Sequence, residues 1–426
     1  MSISLPLSTF SALDQSLRKR IVDECTVESE TTREKIECVL TENKKVYLPK
    51  SYAESIGLPL DEKEEQKYAS LSVSTTDFKL REYQQEVETQ MDSSFEHYRS
   101  ILLSLHCGWG KSYFAIIYAL KLKLRTLVAV FRNTLIDQWK ESILTVNKDL
   151  KVQILENKTK REEADFYIIL GENLSNRPLD EFSDVGMFIC DEAHVFCSPS
   201  VSKSLLRVQP KYSISLTATP VRADKLDRVL QLHFGDAVIS REMRRNYNVY
   251  RLKTKFKPVV QQTPMGKIDW NAVLDSQCGD QVRNEMIVRL CKFFANRNIL
   301  ILSKRVELQG KYLYKRLLEE GEDVEIFMGS KRTYNKDARI LIGTISKVGT
   351  GFDNPRLDML ILGSDCASLF IQFLGRIMRR QDTCPIVVDI TDNFSVFTSH
   401  YNTRLLSYVK TGGVVKDLYE SFPEFK

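Results

Sequence analysis

The chain has 426 residues with 61 Lys and Arg against 56 Asp and Glu, which gives a net charge of +5. This length exceeds the roughly 100–200 residues of one ordinary domain and predicts two large domains. The hydrophobic fraction of 43%, the charged fraction of 27% and the lack of any apolar run near 20 residues argue against a membrane-spanning protein, and we expect an intracellular one because residues 1–20 do not follow the secretory pattern.

The nine cysteines include no C-x-x-C pair and no zinc-ligand spacing with the histidines. We therefore predict reduced and mostly buried thiols. Residues 241–426 carry 30 Lys and Arg against 21 Asp and Glu, whereas residues 1–240 carry 31 against 35. This asymmetry favours the second half of the chain as the surface for a polyanion.

The elements in chain order predict an N-terminal extension followed by two α/β lobes. Residues 1–75 have mixed charge and end in the run DEKEEQK and a Ser/Thr-rich stretch, which indicates an extension with a solvated linker. In residues 76–240, short apolar strands alternate with helical stretches, and this alternation predicts a parallel sheet. The predicted strands are 100–105, 126–131, 166–170, 186–190 and 212–217.

Residues 241–292 lack a clear period, and we interpret them as a connector. The alternation resumes over 293–426, which predicts a second α/β lobe. Its predicted strands are 298–303, 323–328, 338–344, 357–363 and 385–390.

A glycine-rich turn follows the first strand of the first lobe. Gly108, Gly110, Lys111 and Ser112 lie in SLHCGWGKS, between an apolar strand and a helix. Glycines let backbone N–H groups close on phosphates, Lys111 can reach the β- and γ-phosphates and Ser112 can ligate Mg²⁺. The longer pattern G-x-x-x-x-G-K-[ST] is incomplete, because Leu105 stands at its first glycine.

Two carboxylates follow the strand GMFIC, in the sequence Asp191-Glu192-Ala193-His194. Parallel α/β sheets place ligand chemistry at the carboxyl ends of their strands. Asp191 can hold Mg²⁺ through water, and Glu192 can orient or deprotonate the attacking water. The alternative to a catalytic role is a structural one, because Asp and Glu are also favourable at the start of a helix.

Two further segments carry polar side chains in a strand or helix context. LTATP ends the strand at 212–217 with Thr217 and Thr219, and QFLGRIMR places Gln372, Arg376 and Arg379 together. The two arginines share a helical face because they are three residues apart. The apolar residues beside the arginines indicate that this face of the helix is packed against protein. Arginine cations in such a place need anionic partners.

The order of these segments resembles the superfamily 2 helicases of the DEAH type. The segment L-R-E-Y-Q, which contains Gln84, resembles the stretch that lies beside adenine in these helicases. CGWGKS resembles motif I, and the segment from Arg132 to Trp139 resembles motif Ia. DEAH resembles motif II, and TAT resembles motif III. GTISKVGTGFDNP and QFLGRIMRR resemble motifs V and VI. The sequence of motif Ia and the upstream segment VYLPKSYAESIGLPL are most similar to those of the transcript-release and DNA helicases of poxviruses, iridoviruses and asfiviruses.

This resemblance implies two tandem RecA-like P-loop lobes with a small N-terminal extension, and ATP with Mg²⁺ as cofactors. It implies hydrolysis in the cleft between the lobes, nucleic acid as partner with DNA favoured over RNA, contact with transcription or replication machinery, and a place in the virion or host cytoplasm. The implied roles are catalytic for Lys111, Glu192, Arg376 and Arg379; ATP-binding for Gln84, Gly108, Gly110, Lys111, Ser112, Gly351 and Asp353; Mg²⁺-binding for Ser112 and Asp191; and coupling for His194, Thr217, Thr219 and Gln372.

Three alternatives stay open at this point. The chain can be an RNA helicase, because grips on a single-stranded backbone differ mainly at the 2′-OH. It can be a nucleic-acid-binding scaffold with a vestigial ATPase, although such a module needs no ATP-contacting residues on both lobes. A P-loop kinase is disfavoured by motif VI and the second lobe. Phe131 in place of the usual proline of motif Ia affects the subfamily and removes no catalytic atom.

Overall fold

The computed structural model describes residues 1–58, 68–73, 75–106, 108–217, 224–331, 333–349, 352, 354–367, 370–380 and 382–425. The chain divides into two compact units, a first unit from Met1 to Arg241 and a second unit from Glu242 to Lys426. The predicted linker run 61–67 lies outside the described residues, and so do Cys107, Thr219, Gly351 and Asp353.

The N-terminal part of the first unit is folded, although its sequence shows no alternating pattern. The sheet order is β1-β5-β4 with antiparallel pairing, and β2 and β3 form a separate antiparallel pair. The elements are β1 (Ser2–Pro6), α1 (Leu7–Ala12), α2 (Gln15–Glu24), β2 (Thr26–Glu28), β3 (Lys35–Glu37), β4 (Leu40–Glu42), β5 (Lys45–Pro49) and α3 (Lys50–Ser55).

Long-range packing holds this N-terminal part against the rest of the first unit. Leu5, Ile21 and Leu48 are buried in the same apolar cluster as Leu205 and Phe234, which lie far along the chain. Short strands of three to five residues cannot bury enough apolar surface by themselves, so their stability depends on this cluster.

The main sheet of the first unit is entirely parallel, as its alternating elements predict. In the described part of the chain it has seven strands in the order β12-β6-β11-β10-β7-β9-β8. The strands are apolar on both faces because helices cover both sides of a parallel sheet. The elements are α4 (Glu82–His97), β6 (Ser100–Leu105), α5 (Lys111–Leu122), β7 (Thr126–Val130), α6 (Asn133–Val146), β8 (Val152–Leu155), β9 (Phe166–Leu170), α7 (Gly171–Ser175), β10 (Met187–Asp191), β11 (Tyr212–Thr217), α8 (Arg228–Phe234), β12 (Val238–Arg241) and the 3₁₀ turns Ala193–Phe196 and Ser202–Arg207.

The second unit repeats this plan with a second parallel sheet. Its strand order over the described residues is β15-β16-β14-β17-β18-β13-β19. The elements are β13 (Tyr247–Lys253), α9 (Trp270–Gly279), α10 (Gln281–Phe293), β14 (Ile299–Ser303), α11 (Lys311–Glu319), β15 (Val324–Phe327), β16 (Ile340–Thr344), α12 (Ile345–Gly349), β17 (Met359–Leu362), α13 (Phe370–Ile377), β18 (Ile386–Thr391), α14 (Ser395–Thr411), β19 (Gly413–Asp417), α15 (Leu418–Ser421), the π-helical turn Val306–Gly310 and the 3₁₀ turn Pro423–Phe425.

The segment 241–292 differs from the expected connector. It supplies β13, which pairs with β18 and β19 in the second sheet, and the helices α9 and α10. The strand escaped detection because Tyr247, Val249 and Leu252 are buried beside polar neighbours, which gives no regular alternation. The prediction of two parallel α/β lobes with a small N-terminal region is confirmed.

Two observations concern the state of the cysteines and the hydrophobic character of the helices. Among the cysteines that the structure describes, seven are buried free thiols and Cys384 is exposed. Burial raises the pKa of the Cys38 thiol to about 12 and of the Cys366 thiol to about 11, so both stay protonated at neutral pH. No helix in the described ranges has the length and apolar character to cross a bilayer.

Candidate active site

The turn from β6 to α5 is built by glycines. Gly108 has a φ of 82° and Gly110 a φ of 94°, which is the left-handed region that side chains disfavour. A Cβ atom on Gly110 would also stand 2.8 Å from Gln84 Nε2. Glycine is therefore required at position 110, where the turn brings the first N–H groups of α5 to the edge of the sheet.

Lys111 opens α5 and bends back over this turn. Its ammonium donates to the carbonyl oxygens of Leu105 at 2.9 Å and His106 at 3.4 Å. The positive charge of Lys111 also lowers the pKa of Asp191, which places the two groups in one electrostatic environment. Ser112 is the next residue of α5, in the first helical turn.

Gln84 ties the start of α4 to the glycine turn. Its Oε1 accepts from the N–H of Arg81 at 3.0 Å, and its Nε2 donates to the carbonyl of Trp109 at 3.2 Å. The hydroxyl of Tyr83 donates to the same carbonyl at 3.3 Å. Gln84 is buried, and both ends of its amide contact backbone, so the structure shows it shaping the turn. Its contact with ATP stays a prediction.

Asp191 ends β10 as a buried carboxylate. Its Oδ2 accepts a hydrogen bond from Trp139 Nε1 at 2.8 Å, and its Oδ1 accepts from the N–H of Glu192 at 3.0 Å. Burial, followed by the charge of Glu192, raises the pKa of Asp191 to about 6. A carboxylate in such a place gains from a nearby cation, because the cation offsets the loss of hydration.

Glu192 occupies a strained backbone position beside Asp191. Its φ of 50° is in the left-handed region, which costs a residue with a side chain on the order of 1 kcal/mol and occurs often at functional sites. Its Oε2 is buried, lies 3.5 Å from His194 Nδ1 and has no hydrogen-bond partner among the described residues. The same His194 nitrogen is 3.0 Å from Thr217 Oγ1.

The sheet order explains why these side chains meet. Strands β6, β11 and β10 are neighbours in this parallel sheet, and their carboxyl ends precede or carry Lys111, Thr217 and Asp191. Adjacent strands are about 4.8 Å apart, so side chains at these ends fall within one site. The structure thus brings together nine of the predicted residues. They are Gln84, Gly108, Gly110, Lys111, Ser112, Asp191, Glu192, His194 and Thr217.

The remaining predicted residues lie in the second unit, on or just after α13. Gln372 is buried, and neither polar atom of its amide has a hydrogen-bond partner in the part of the chain that the structure describes. Arg376 donates through Nη1 to the carbonyl of Phe352 at 2.5 Å and through Nη2 to that of Gly349 at 2.9 Å. Arg376 therefore fastens α13 to the segment that resembles motif V. Arg379 follows α13, and its charge acts on the phenol of Tyr334.

The sequence-based prediction missed two features of these sites. Trp139 had no role beyond its place in motif Ia, although a tryptophan on the buried stripe of α6 needs a partner for its N–H. The second unit also has a cavity of about 460 Å³ at the carboxyl ends of β14 and β16, lined among others by Ser303, Lys304, Thr344 and Lys347. We name it the β14–β16 cavity.

Comparison with known proteins agrees with this geometry. Residues 77–222 match the family described as "Type III restriction enzyme, res subunit". The protein "Putative helicase 161L" of Invertebrate iridescent virus 6 is 37% identical over 404 residues, which cover 88% of this chain and 90% of that protein. The chain belongs to the superfamily 2 helicases.

Two further similarities support the assignment of this chain to the superfamily 2 helicases. "Transcript termination protein A18" of Yaba-like disease virus is 26% identical over 84% of this chain and 83% of that protein. The solved structure "S. cerevisiae Dbp5 bound to RNA and ADP BeF3" has 13% identity, a TM-score of 0.53 and covers 81% of this chain and 96% of that chain, which shows the shared fold. The predicted helicase family, fold and ATP-dependent helicase activity are confirmed, whereas the DEAH subtype and the preference for DNA stay predictions.

Proposed function

We propose that the first unit of this helicase binds ATP with Mg²⁺ at the edge formed by β6, β11 and β10. The observation that carries the proposal is the sheet order, in which β11 alone separates β6, whose glycine turn leads to Lys111, from β10, which ends at the buried Asp191. The two residues are 80 positions apart in the sequence. Lys111 and the N–H groups after Gly108 and Gly110 would bind phosphate oxygens. This is the arrangement that phosphoryl transfer requires.

Ser112 and Asp191 fit a Mg²⁺ ion. Mg²⁺ in nucleotide sites uses one or two carboxylates with phosphate oxygens and water, and a cation beside Asp191 would offset the burial that raises the pKa of this carboxyl group. When bound, the ion would neutralise charge on the β- and γ-phosphates. Trp139 would keep Asp191 in its orientation by the hydrogen bond to Oδ2.

Glu192 is the proposed base for the attacking water. Its Oε2 has no hydrogen-bond partner among the described residues, so this acceptor remains for a water molecule. His194 and Thr217 connect the base to the end of β11. We propose that this contact transmits the state of the phosphate site towards Thr219 and the segment that follows.

The second unit would supply the remaining groups of the reaction. Gln372 has an amide without a hydrogen-bond partner among the described residues, and we propose that it senses the γ-phosphate. Arg379 is the proposed arginine finger, whose cation stabilises the charge of the transition state. Gly351 and Asp353 would complete nucleotide binding. Arg376 has its Nη1 and Nη2 atoms on backbone carbonyls, so we propose that it supports the reaction by holding α13 in place.

We propose that the β14–β16 cavity binds the backbone of one nucleic acid strand. Lys304 and Lys347 supply positive charge, and Thr344 supplies a hydroxyl group next to them. Such contacts grip phosphates without reading sequence, as a motor that moves along a strand requires. DNA is the favoured strand, and the similarity to a transcript termination protein supports a role with transcription machinery.

The steady-state ATPase rate tests this function. We expect little turnover without nucleic acid, strong stimulation by single-stranded DNA, weaker stimulation by RNA, and no turnover in Lys111→Ala under any condition. An unwinding assay with matched DNA and RNA tracking strands separates the two candidate substrates. Greater stimulation by RNA would favour an RNA helicase, and equal rates with and without any nucleic acid would contradict the motor.

A further inference from the structure

A second cavity of the second unit lies away from every residue that the proposed function uses. It has a volume of about 510 Å³ and lies at the carboxyl ends of β13 and β19. Its charged and aromatic lining residues are Arg251, Lys253, Lys416, Asp417, Glu420 and Tyr401. We name it the β13–β19 cavity. In the sheet, β17 and β18 separate it from β14 and the β14–β16 cavity.

The cations of this cavity have no carboxylate partners. Across the described ranges, no ion pair within 4 Å involves Arg251, Lys253 or Lys416, although many other Lys and Arg side chains of the unit are paired. The nearby Asp417 carboxylate accepts instead from the N–H groups of Tyr419 and Glu420 at the start of α15. The three cations outnumber the two carboxylates of the lining, Asp417 and Glu420, and the net positive charge favours an anion in the cavity.

An aromatic ring fixes one of these cations. The guanidinium carbon of Arg251 lies 3.8 Å from the centre of the Tyr401 ring, and Tyr401 is buried. Arg251 Nε is itself buried without a hydrogen-bond partner among the described residues. A guanidinium held over a ring can carry a second planar group on its other face, as happens where proteins stack nucleobases.

We infer that the β13–β19 cavity binds a nucleotide, with the base against Arg251 and the phosphate at Lys253 and Lys416. The volume lies within the roughly 300–1,000 Å³ of small-ligand sites. An acidic peptide would pair with the cations through carboxylates, whereas a nucleotide joins an aromatic base that stacks on Arg251 to a phosphate that binds the lysines. The nucleotide can be a free molecule or the phosphorylated end of a nucleic acid strand.

Equilibrium dialysis with radiolabelled AMP on the full chain tests this site. AMP lacks the β- and γ-phosphates that the glycine turn is expected to bind, so Lys111→Ala should bind AMP as the wild type does. The double variant Lys253→Ala/Lys416→Ala should bind it at least tenfold more weakly. The double variant Lys311→Ala/Lys315→Ala removes two exposed lysines of α11 and should match the wild type.

A second probe separates the two sources of the nucleotide. In the Lys111→Ala protein, a single-stranded oligonucleotide with a 5′-phosphate is compared with the same strand without it. A preference for the phosphorylated strand that disappears in Lys253→Ala/Lys416→Ala indicates a strand end, and AMP binding without that preference indicates a free nucleotide. The proposal is wrong if neither probe binds, or if the Lys253→Ala/Lys416→Ala double variant binds both as the Lys311→Ala/Lys315→Ala control does.

Discussion

Trp139 Nε1 donates a hydrogen bond to Asp191 Oδ2 at 2.8 Å, and both side chains are buried. A hydrogen bond to a charged group contributes about 1.5–3 kcal/mol, and here it lowers the pKa of a carboxyl group that burial raises. The contact joins α6 to the end of β10 and favours the ionised form of Asp191.

The first prediction concerns Trp139→Phe. Loss of the donor should raise the pKa of Asp191, so at subsaturating Mg²⁺, where protons compete with the cation, the acid limb of the ATPase pH profile should move to higher pH. The measurement is kcat between pH 5.5 and 8.5. Trp270→Phe makes the same chemical change in the second unit and should leave the limb in place. An unmoved limb in Trp139→Phe would contradict the role of this contact.

A second prediction follows from the pKa of Asp191, which is about 6 in the folded protein against 3.8 for an ordinary aspartate in water. The folded protein holds this proton more tightly, so the stability from this group is full below pH 3.8 and is lost as the pH rises through 6. Without Mg²⁺, Asp191→Asn should therefore be more stable than the wild type at pH 7.5, by at most about 3 kcal/mol, with a smaller difference at pH 4.5.

Urea unfolding in EDTA at the two pH values measures this difference. The variant should also lose ATP turnover, because Asn carries no charge for the cation. A less stable Asp191→Asn protein at pH 7.5 would show that ionised Asp191 is satisfied by the protein alone.

The third prediction separates Lys111 from Glu192. Lys111→Ala should lose both ATP binding and turnover, because the ammonium is the proposed phosphate ligand. Glu192→Gln should lose turnover yet bind ATP with Mg²⁺ about as well as the wild type, because Ser112 and Asp191 remain. Binding is measured by titration with ATP and turnover by phosphate release. Equal loss of binding in both variants would remove the distinction between ligand and base.

The fourth prediction compares two arginines of the second unit. Arg376→Ala leaves the carbonyls of Gly349 and Phe352 without their donor and should cost about 2–3 kcal/mol of unfolding free energy. Arg379→Ala should lower kcat by about 10³-fold or more at saturating nucleic acid, with a much smaller change in ATP affinity.

Arg380→Ala is the matched control for this pair. Arg380 stands next to Arg379 and pairs with the exposed Asp382 at 2.5 Å, a contact of about 0–1 kcal/mol. Its kcat should stay within about threefold of the wild type. The same result for Arg379→Ala would refute its place in the reaction.

A fifth prediction tests the β14–β16 cavity. Each phosphate contact on a single strand contributes about −0.7 to the slope of log K against log[salt]. Lys304→Ala should weaken binding of single-stranded DNA and make the slope shallower by about 0.7, whereas the exposed Lys315→Ala should change neither. Binding measured by fluorescence anisotropy at several salt concentrations gives the slope. A slope equal to that of the wild type would exclude Lys304 from the phosphate contacts.

Local sequence was sufficient for the parts of this protein that are continuous in the chain. Strands such as β6, β9 and β11 have the predicted bounds, because a run of apolar residues between a turn and a helix specifies a buried parallel strand. The glycine turn and Asp191-Glu192 were recognisable for the same reason, since the strand, the turn and the candidate site residues are adjacent in sequence. The ordered motifs then identified the helicase family.

Tertiary structure alone decided which distant groups meet. The pairing of Trp139 with Asp191, the hold of Arg376 on Gly349 and the entry of β13 into the second sheet join residues that lie 27 to 138 positions apart in the chain. The N-terminal strands likewise depend on an apolar cluster that includes Leu205 and Phe234. Such contacts leave no local pattern, because hydrogen bonding and burial depend on distance in space, and the folding of the whole unit sets that distance.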